Sequence, residues 1–515
     1  MKAMLMLLAT LLLTDAAISS DAPLSDLTTE QQALHLLDRL SYGPRPGDLD
    51  HVMTVGVDRY LEEQLHPERL QNPAALTADL SGLSLYSMSY ADLFNRFGPP
   101  AKREAGDSPE MRKKFARSER AVVLQAQQAR LAQALESPKQ LQEVMVDFWF
   151  NHFNVFAEKG LDRIWIGAYE RNAIRPYVLG RFRDLLGATA KSPAMLFYLD
   201  NWQSAKSGTD RKGREQGLNE NYARELMELH TLGVDGGYTQ KDVTELARIL
   251  TGWTFNPKAL KNDSADPFQF ARARHDEGEK IFLGHVFLNE GQDEGERALD
   301  MLAGHPSTAR HISYELAQYF VADVPPPMLV DHLTQRFQQT HGDIREVLRT
   351  LFRSPEFWDP ANVGNKFKTP YQYVLSAMRV TDIHPVNDRP ALEALRQLGM
   401  KLYGCLTPDG YKNTEAAWLS PGAMIDRLNF ATAMGSGRLR WNRVPMDADD
   451  AEDSNKHMPR MDNADNEHPS PPPDASTMQE ALGARFSKQT LEAIATSPLA
   501  LRASLILGSP EFMRH

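Results

Sequence analysis

The chain has 515 residues, of which 42% are hydrophobic and 24% are charged, and its formal net charge is −11 at pH 7. This length predicts either about three domain-sized units or one large helical body. The acidic balance argues against binding to nucleic acid or to an anionic membrane. The single cysteine, Cys405, excludes an intramolecular disulfide and any zinc, iron–sulfur or c-type haem site that needs two thiols.

The first twenty residues have the composition of a secretory signal peptide. Lys2 precedes an apolar run at 3–13, and small residues dominate positions 16–20. The apolar run is too short to span a bilayer as a helix. We therefore expect residues 1–20 to be removed and the mature chain to be exported to the periplasm or the extracellular space. The alternative is an N-terminal anchor that stays attached, and no later stretch predicts a membrane-spanning helix.

The rest of the sequence has mainly the periodicity of α-helices. A helical run extends from Thr28 to Leu40, and helices and turns alternate after it, without sustained period-2 runs. The predicted fold is mainly α, a large multi-helix body with helical hairpins and few or no strands. We expect a main helical domain at 21–360 and a C-terminal helical part at 361–515.

An acidic segment interrupts the C-terminal part. Residues 446–467 contain eight acidic residues against two basic ones, and the sequence PSPPPD follows shortly afterwards. This composition predicts a disordered, solvated loop at about 446–476. Five of its side chains could bind a soft metal, although flexible polar tracts also collect such residues without function. They are Met446, His457, Met458, Met461 and His468.

The stretch at 219–253 predicts a helical hairpin. Its first helix ends at a group of glycines beginning with Gly233, which are typical of helix C-termini and turns. Thr239, with Asp242 three residues later, predicts a capping box for the second helix. Asp242 projects at the edge of that helix's apolar face, so we considered it as a catalytic carboxylate as well.

Three charged residues share one stripe of the first helix, because at about 100° per residue Arg224, Glu225 and Glu228 fall close together. One interpretation is a solvated surface on which Arg224 and Glu228 form an ion pair worth about 0.3 kcal/mol. The other is a polar cavity wall, in which Glu225 or Glu228 is a general base and Arg224 binds an anionic group. The predicted partner across this cavity is a helix at 137–156.

Three histidines and an aspartate are candidate metal ligands. His152 lies on the apolar face of the predicted helix at 137–156, and His230 lies at the end of the first hairpin helix. His275 and Asp276 belong to the segment RHDEGEKIFLGH. Imidazoles and carboxylates together bind zinc, iron or manganese, so these residues would form a divalent metal site if they converged. Histidines buried in the core, or a less expected haem bound by them, are the alternatives.

Several segments resemble, in order along residues 30–435, the bacterial domain of unknown function 1800 family. They include DFWFNHFNV, NENYARELMELHTLGVDGGYTQKDVTELARILTGW, RHDEGEKIFLGH and LRTLFRSPEFW. The resemblance implies an exported, largely helical protein with no settled activity. It also implies a partner, because members are often encoded beside exported proteins of the domain of unknown function 1501 family, which look like phosphatase or sulfatase relatives. The residues that match the family motifs include His152, Asn219, Glu220, Asn221, Arg224, Glu225, Glu228, His230, Tyr238, Asp242, Trp253, His275 and Asp276.

Two hypotheses for the function follow. The first is a metal-assisted or acid/base enzyme with its site between the helix at 137–156 and the hairpin at 219–253. The second is a non-catalytic exported scaffold, in which the polar stripe is a satisfied buried network and the protein binds a partner.

Overall fold

The computed structural model describes residues 27–99, 109–209, 213, 215–256, 267–442 and 471–515. Most of these residues are helical, so the prediction of a mainly α fold is confirmed. The predicted signal peptide at 1–20 and residues 446–470 of the predicted acidic loop lie outside the described residues. None of the described helices is both long and apolar enough to cross a membrane.

The N-terminal part of the described chain is helical. The Thr28 side chain caps the first helix with a capping box, in which its hydroxyl accepts from the Gln31 backbone N–H at 3.2 Å. The long helix Pro109–Glu136 packs against the helices Ala74–Gly82 and Asp162–Tyr169. The bounds are α1 Thr29–Leu40, α2 Asp48–Val55, α3 Val57–Leu65, α4 Ala74–Gly82, α5 Tyr90–Phe97 and α6 Pro109–Glu136.

Helix α7 lies in the core and carries bulky side chains around most of its surface. Trp149 is fully buried there, and its indole N–H donates to the Val178 carbonyl at 3.0 Å. A five-residue π-helical segment, Glu170–Ile174, follows α8. The bounds are α7 Gln140–His152, α8 Asp162–Tyr169, α9 Phe182–Lys191, α10 Pro193–Tyr198, α11 Asn221–Glu228 and α12 Gln240–Ile249.

The predicted hairpin at 219–253 consists of α11 and α12, and the predicted capping box at its second helix is present. The Thr239 hydroxyl accepts from the Asp242 N–H at 3.3 Å, and the Asp242 carboxylate accepts from the Thr239 N–H at 2.9 Å. Within the described residues, short strands pair as three two-stranded antiparallel sheets. They are β1 Gly208–Thr209, β2 Glu215–Gln216, β3 Trp253–Phe255, β4 Phe268–Phe270, β5 Lys280–Phe282 and β6 His285–Phe287.

The remaining helices complete one continuous core. Helix α20 packs along α23, and α14 packs along α15. The buried apolar side chains form a cluster that includes residues from both predicted parts of the chain, from Ala33 to Met513. The bounds are α13 Gln292–Gly304, α14 Pro306–Phe320, α15 Pro327–Gln339, α16 Ile344–Phe352, α17 Pro370–Val380, α18 Arg389–Gln397, α19 Glu415–Trp418, α20 Pro421–Gly435, α21 Ala475–Leu482, α22 Lys488–Thr496 and α23 Leu499–Gly508.

Candidate functional site

A cavity of about 250 Å³ lies where α7, the C-terminal end of α11 and α14 meet, with a loop at 400–413 along its edge. Its wall therefore includes both elements between which the sequence predicts a site. It also includes α14, which the sequence motifs did not indicate. The polar residues of the wall include Asn151, His152, Glu228, His311, Glu315 and Asp409.

His152 is the last residue of α7, and both of its ring nitrogens have partners. Nε2 lies 3.2 Å from the backbone carbonyl of His230, and Nδ1 lies 2.7 Å from Oε2 of Glu315. A carbonyl oxygen can only accept, so Nε2 carries a hydrogen. The Glu315 carboxylate lies within hydrogen-bond distance of Nδ1. This contact fixes one oxygen of Glu315.

The other oxygen of Glu315 faces a second imidazole. His311 precedes Glu315 by one helical turn of α14, which brings the two side chains to the same face, and His311 Nε2 lies 3.2 Å from Oε1. Burial alone would raise the pKa of Glu315, but the two histidines hold it well below its usual range. Burial likewise lowers the pKa of His311, but the Glu315 carboxylate raises it above 6.5 overall.

The remaining ring nitrogen of His311, Nδ1, has no hydrogen-bond partner among the described residues. It lies beneath Gly233, where a Cβ atom would come within 2.7 Å of it. Gly233 has a φ of 84°, a left-handed conformation that glycine adopts without steric cost. His311 therefore has one nitrogen oriented by a carboxylate and one that is covered only by a glycine backbone.

Glu228, Glu225 and Asp409 form an acidic side of the site. Glu228 and Asp409 line the cavity, and Glu225 is half-buried one turn before Glu228. Burial raises the pKa of Glu225, and the neighbouring charges of Glu228 and Asp409 raise it further. Burial also acts on Asp409, but a hydrogen bond from Lys412, at 2.8 Å, holds its pKa below the usual range. Two of the predicted catalytic glutamates are thus at or beside the cavity.

Arg224 and Asp242, the other predicted catalytic residues, do not line this cavity. The Arg224 guanidinium donates to Gln240 at 3.0 Å and lies 3.4 Å from Glu220, so the expected pair with Glu228 is replaced by pairing toward α12. Asp242 forms the capping box, and its second oxygen accepts from the Leu283 N–H at 2.9 Å. These contacts hold α11, α12 and the β5–β6 hairpin together.

His275 and Asp276 belong to a separate cluster. His275 is fully buried, with Nδ1 2.9 Å from the Thr251 carbonyl and Nε2 3.1 Å from Glu294. The Lys280 ammonium donates to the same carboxylate at 2.7 Å. Asp276 accepts two hydrogen bonds from the Arg248 guanidinium, at 2.9 and 3.1 Å. Neither residue shares a hydrogen-bond partner with His152, and neither lines the cavity that His152 lines.

His230 is brought close to His152, with 6.0 Å between the ring centroids. Helix α11 ends at Glu228, so His230 follows the helix instead of lying in its last turn. Burial first, and then the neighbouring His152, hold the pKa of His230 well below 6.5, so His230 is neutral. Within the described ranges, no group of three or more histidine, cysteine or acidic side chains is arranged to hold a metal ion.

Comparison with family models gives one match, described as Protein of unknown function (DUF1800), and it covers residues 35–514. The chain belongs to this family. The family match includes α14 and its His311–Glu315 pair as well as the motifs on which the resemblance was based. Comparisons with curated proteins and with solved structures found no match.

Proposed function

We propose that this chain is an exported acid/base enzyme whose reaction centre is the His152–Glu315–His311 triad. The observation that carries the proposal is the Glu315 carboxylate, which bridges two imidazoles in the wall of a cavity of about 250 Å³. Catalytic bases are often oriented by a third group in this way. Perturbed titratable groups in a cleft are also more frequent at active sites than elsewhere.

The three residues of the triad have different roles in this proposal. His311 Nδ1 takes the proton once the Gly233 backbone that covers it has moved aside, because Glu315 binds the opposite nitrogen and fixes the tautomer. The raised pKa of His311 brings it closer to neutral pH, where a general base is most effective. His152 is a positioning residue, since it holds the other oxygen of Glu315 and has no free nitrogen of its own.

The acidic side of the cavity gives the substrate a binding surface. Glu228 and Asp409 accept hydrogen bonds from hydroxyl groups or a cationic group of the substrate, and Asn151 lines the same cavity. In this arrangement Glu228 binds substrate, and the role of base that its helical position suggested belongs to His311.

Substitution of His311 tests the proposal. The full chain is assayed against amides, esters, phosphoesters and glycosides from pH 5 to pH 9, beside His311→Gln and the control His332→Gln. His332 is exposed on α15, so its substitution should leave turnover unchanged. Loss of a general base predicts a decrease in turnover of about 10²- to 10⁴-fold in His311→Gln. Equal turnover in the two variants would contradict the proposal.

A non-catalytic scaffold is the second candidate, because several family-motif residues stabilise the fold. Asp242 caps α12 and His275 belongs to a buried ion cluster. In this alternative the exported chain binds a protein of the domain of unknown function 1501 family, which the family resemblance implies as its partner. Capture of that partner by the wild type and by His311→Gln alike, without turnover, would favour the scaffold.

Two further parts of the proposal have their own tests. Export is supported by the composition of residues 1–20 and is checked by the N-terminal sequence of the secreted chain. A metal-assisted form of the reaction would use His230 Nε2, which has no hydrogen-bond partner among the described residues, as a ligand, and elemental analysis of protein purified without chelators tests it. Stoichiometric metal that is lost in His230→Ala would favour that form.

A further inference from the structure

A buried network of charges lies behind the wall of the cavity. The Arg130 guanidinium donates to Asp147 at 2.6 Å and to Glu170 at 3.0 Å. The Arg175 guanidinium donates to Glu170 at 2.9 Å and to both oxygens of Glu143, at 2.7 and 2.8 Å. Each of the five side chains is at least 88% buried. The network joins α6, α7 and the π-helical segment after α8.

The network contains three carboxyl groups and only two guanidinium groups. If all five groups were ionised, one negative charge would remain uncompensated in the interior, which is strongly unfavourable. A bound proton removes this charge. Three tyrosines adjoin Asp147 and supply no positive charge, and the basic side chains His152, His311 and Lys412 share the cavity wall with it; the tyrosines are Tyr42, Tyr319 and Tyr371.

The contacts show where the proton can be held. Glu170 accepts from both arginines and from the Tyr403 hydroxyl, at 2.7 Å, and these partners hold its pKa below the usual range although burial raises it. Burial raises the pKa of Glu143 and of Asp147 by more than their arginine partners lower it. Of the three carboxyl groups, only Asp147 lines the cavity.

We propose that Asp147 holds the extra proton of this network and is the general acid of the reaction in which His311 is the general base. The inference rests on the proposed function. Two titratable groups in one cavity, held in opposite protonation states by their environments, form an acid/base pair. The substrate class is then one with a basic leaving group, such as an amide or a glycoside, which departs only when it is protonated.

The reaction balances with water as the second reactant. With the Gly233 backbone displaced from His311 Nδ1, this nitrogen takes one proton from water, and the remaining hydroxide forms a bond to the electrophilic atom of the substrate. As the bond to the leaving oxygen or nitrogen breaks, Asp147 gives its proton to that atom. Asp147 is then an anion and His311 a cation, and transfer of the proton from His311 to Asp147 through water in the cavity restores both groups.

The protonation of Asp147 can be measured without a substrate. Infrared spectra at pH 7 should contain the C=O stretch of a protonated carboxyl that is missing in Asp147→Asn and retained in the control Asp409→Asn. Because a carboxamide matches a protonated carboxyl in charge, Asp147→Asn should keep the wild-type urea midpoint, whereas Glu170→Gln should lower it. An unchanged band, or an Asp147→Asn variant that does not fold, would overturn the proposal.

Turnover separates this inference from the proposed function. On any substrate series that the wild type hydrolyses, His311→Gln should slow every member. Asp147→Asn should slow members with basic leaving groups by about 10²-fold or more, and members with activated leaving groups by less than about tenfold. Equal slowing across the series in Asp147→Asn would overturn the role of Asp147 and leave that of His311 intact.

Discussion

Gly233 offers a direct test of whether His311 is held in the position on which the proposed reaction depends. A Cβ atom at this glycine would come within 2.7 Å of His311 Nδ1, closer than a non-bonded carbon and nitrogen can approach. Gly237 has the same φ of 84° and no neighbouring atom within 4 Å, so it serves as the matched control. Alanine at either position would have to adopt a left-handed backbone conformation, which costs about 1–2 kcal/mol.

The two variants should differ by the cost of displacing His311. Gly237→Ala should lower the free energy of unfolding only by this backbone cost. Gly233→Ala should lower it by about 1–3 kcal/mol more, which is the usual cost of overpacking. Urea denaturation measures both free energies of unfolding. The NMR signals of the His311 ring should shift in Gly233→Ala alone. Equal stabilities and an unshifted His311 ring in both variants would refute the described packing.

Three other predictions concern the groups around the site. Glu315→Gln should lower the free energy of unfolding by about 2 kcal/mol, and this loss should be largest between pH 4.5 and 6.5. Below this range the wild type loses the stabilisation from Glu315 as its carboxylate is protonated, and above it the wild type loses the stabilisation from His311 as its ring is deprotonated. A difference between variant and wild type that stays constant from pH 3 to 9 in urea denaturation would contradict the assignment. Glu294→Gln should lower the free energy of unfolding by about 3–5 kcal/mol, because Lys280 stays buried without its ionised partner. A loss below 1 kcal/mol in urea denaturation would show that Lys280 and Glu294 are not an ion pair. Thr239→Ala should lower the free energy of unfolding by about 1 kcal/mol, because the cap of α12 is lost. The control Thr54→Ala removes an exposed threonine and should leave the melting temperature measured by circular dichroism unchanged. Equal melting temperatures for the two variants would count against the cap.

Local sequence patterns predicted much of the fold. The capping box at Thr239 lies where the sequence places it, because capping depends on residues within one turn of each other, and the helical run predicted from Thr28 to Leu40 forms α1. The site was only partly predictable, because its contacts join residues that are far apart along the chain. Glu315, the partner of His152, is 163 residues away along the chain, and no spacing rule connects them.

The sequence does contain a pattern that relates His311 to Glu315. His311 and Glu315 are spaced i and i+4 in a helical stretch, which predicts that they face the same way, but this spacing is frequent in surface ion pairs. His275 and Asp276 were instead included in the predicted site although they lie elsewhere, because adjacent residues of metal-binding types suggested one site. Their side chains have different partners, Glu294 and Arg248, which only the tertiary structure brings into contact.

The tautomer and pKa of His311 test the central claim most directly. Long-range proton–nitrogen NMR on histidine-labelled protein, with the His311 signals assigned by their absence in His311→Gln, measures both from pH 5 to pH 9. The neutral form of His311 should have its hydrogen on Nε2, and its pKa should lie above 6.5, because Glu315 binds that nitrogen. Hydrogen on Nδ1, or a pKa at or below 6.5, would contradict the role of His311 as the general base.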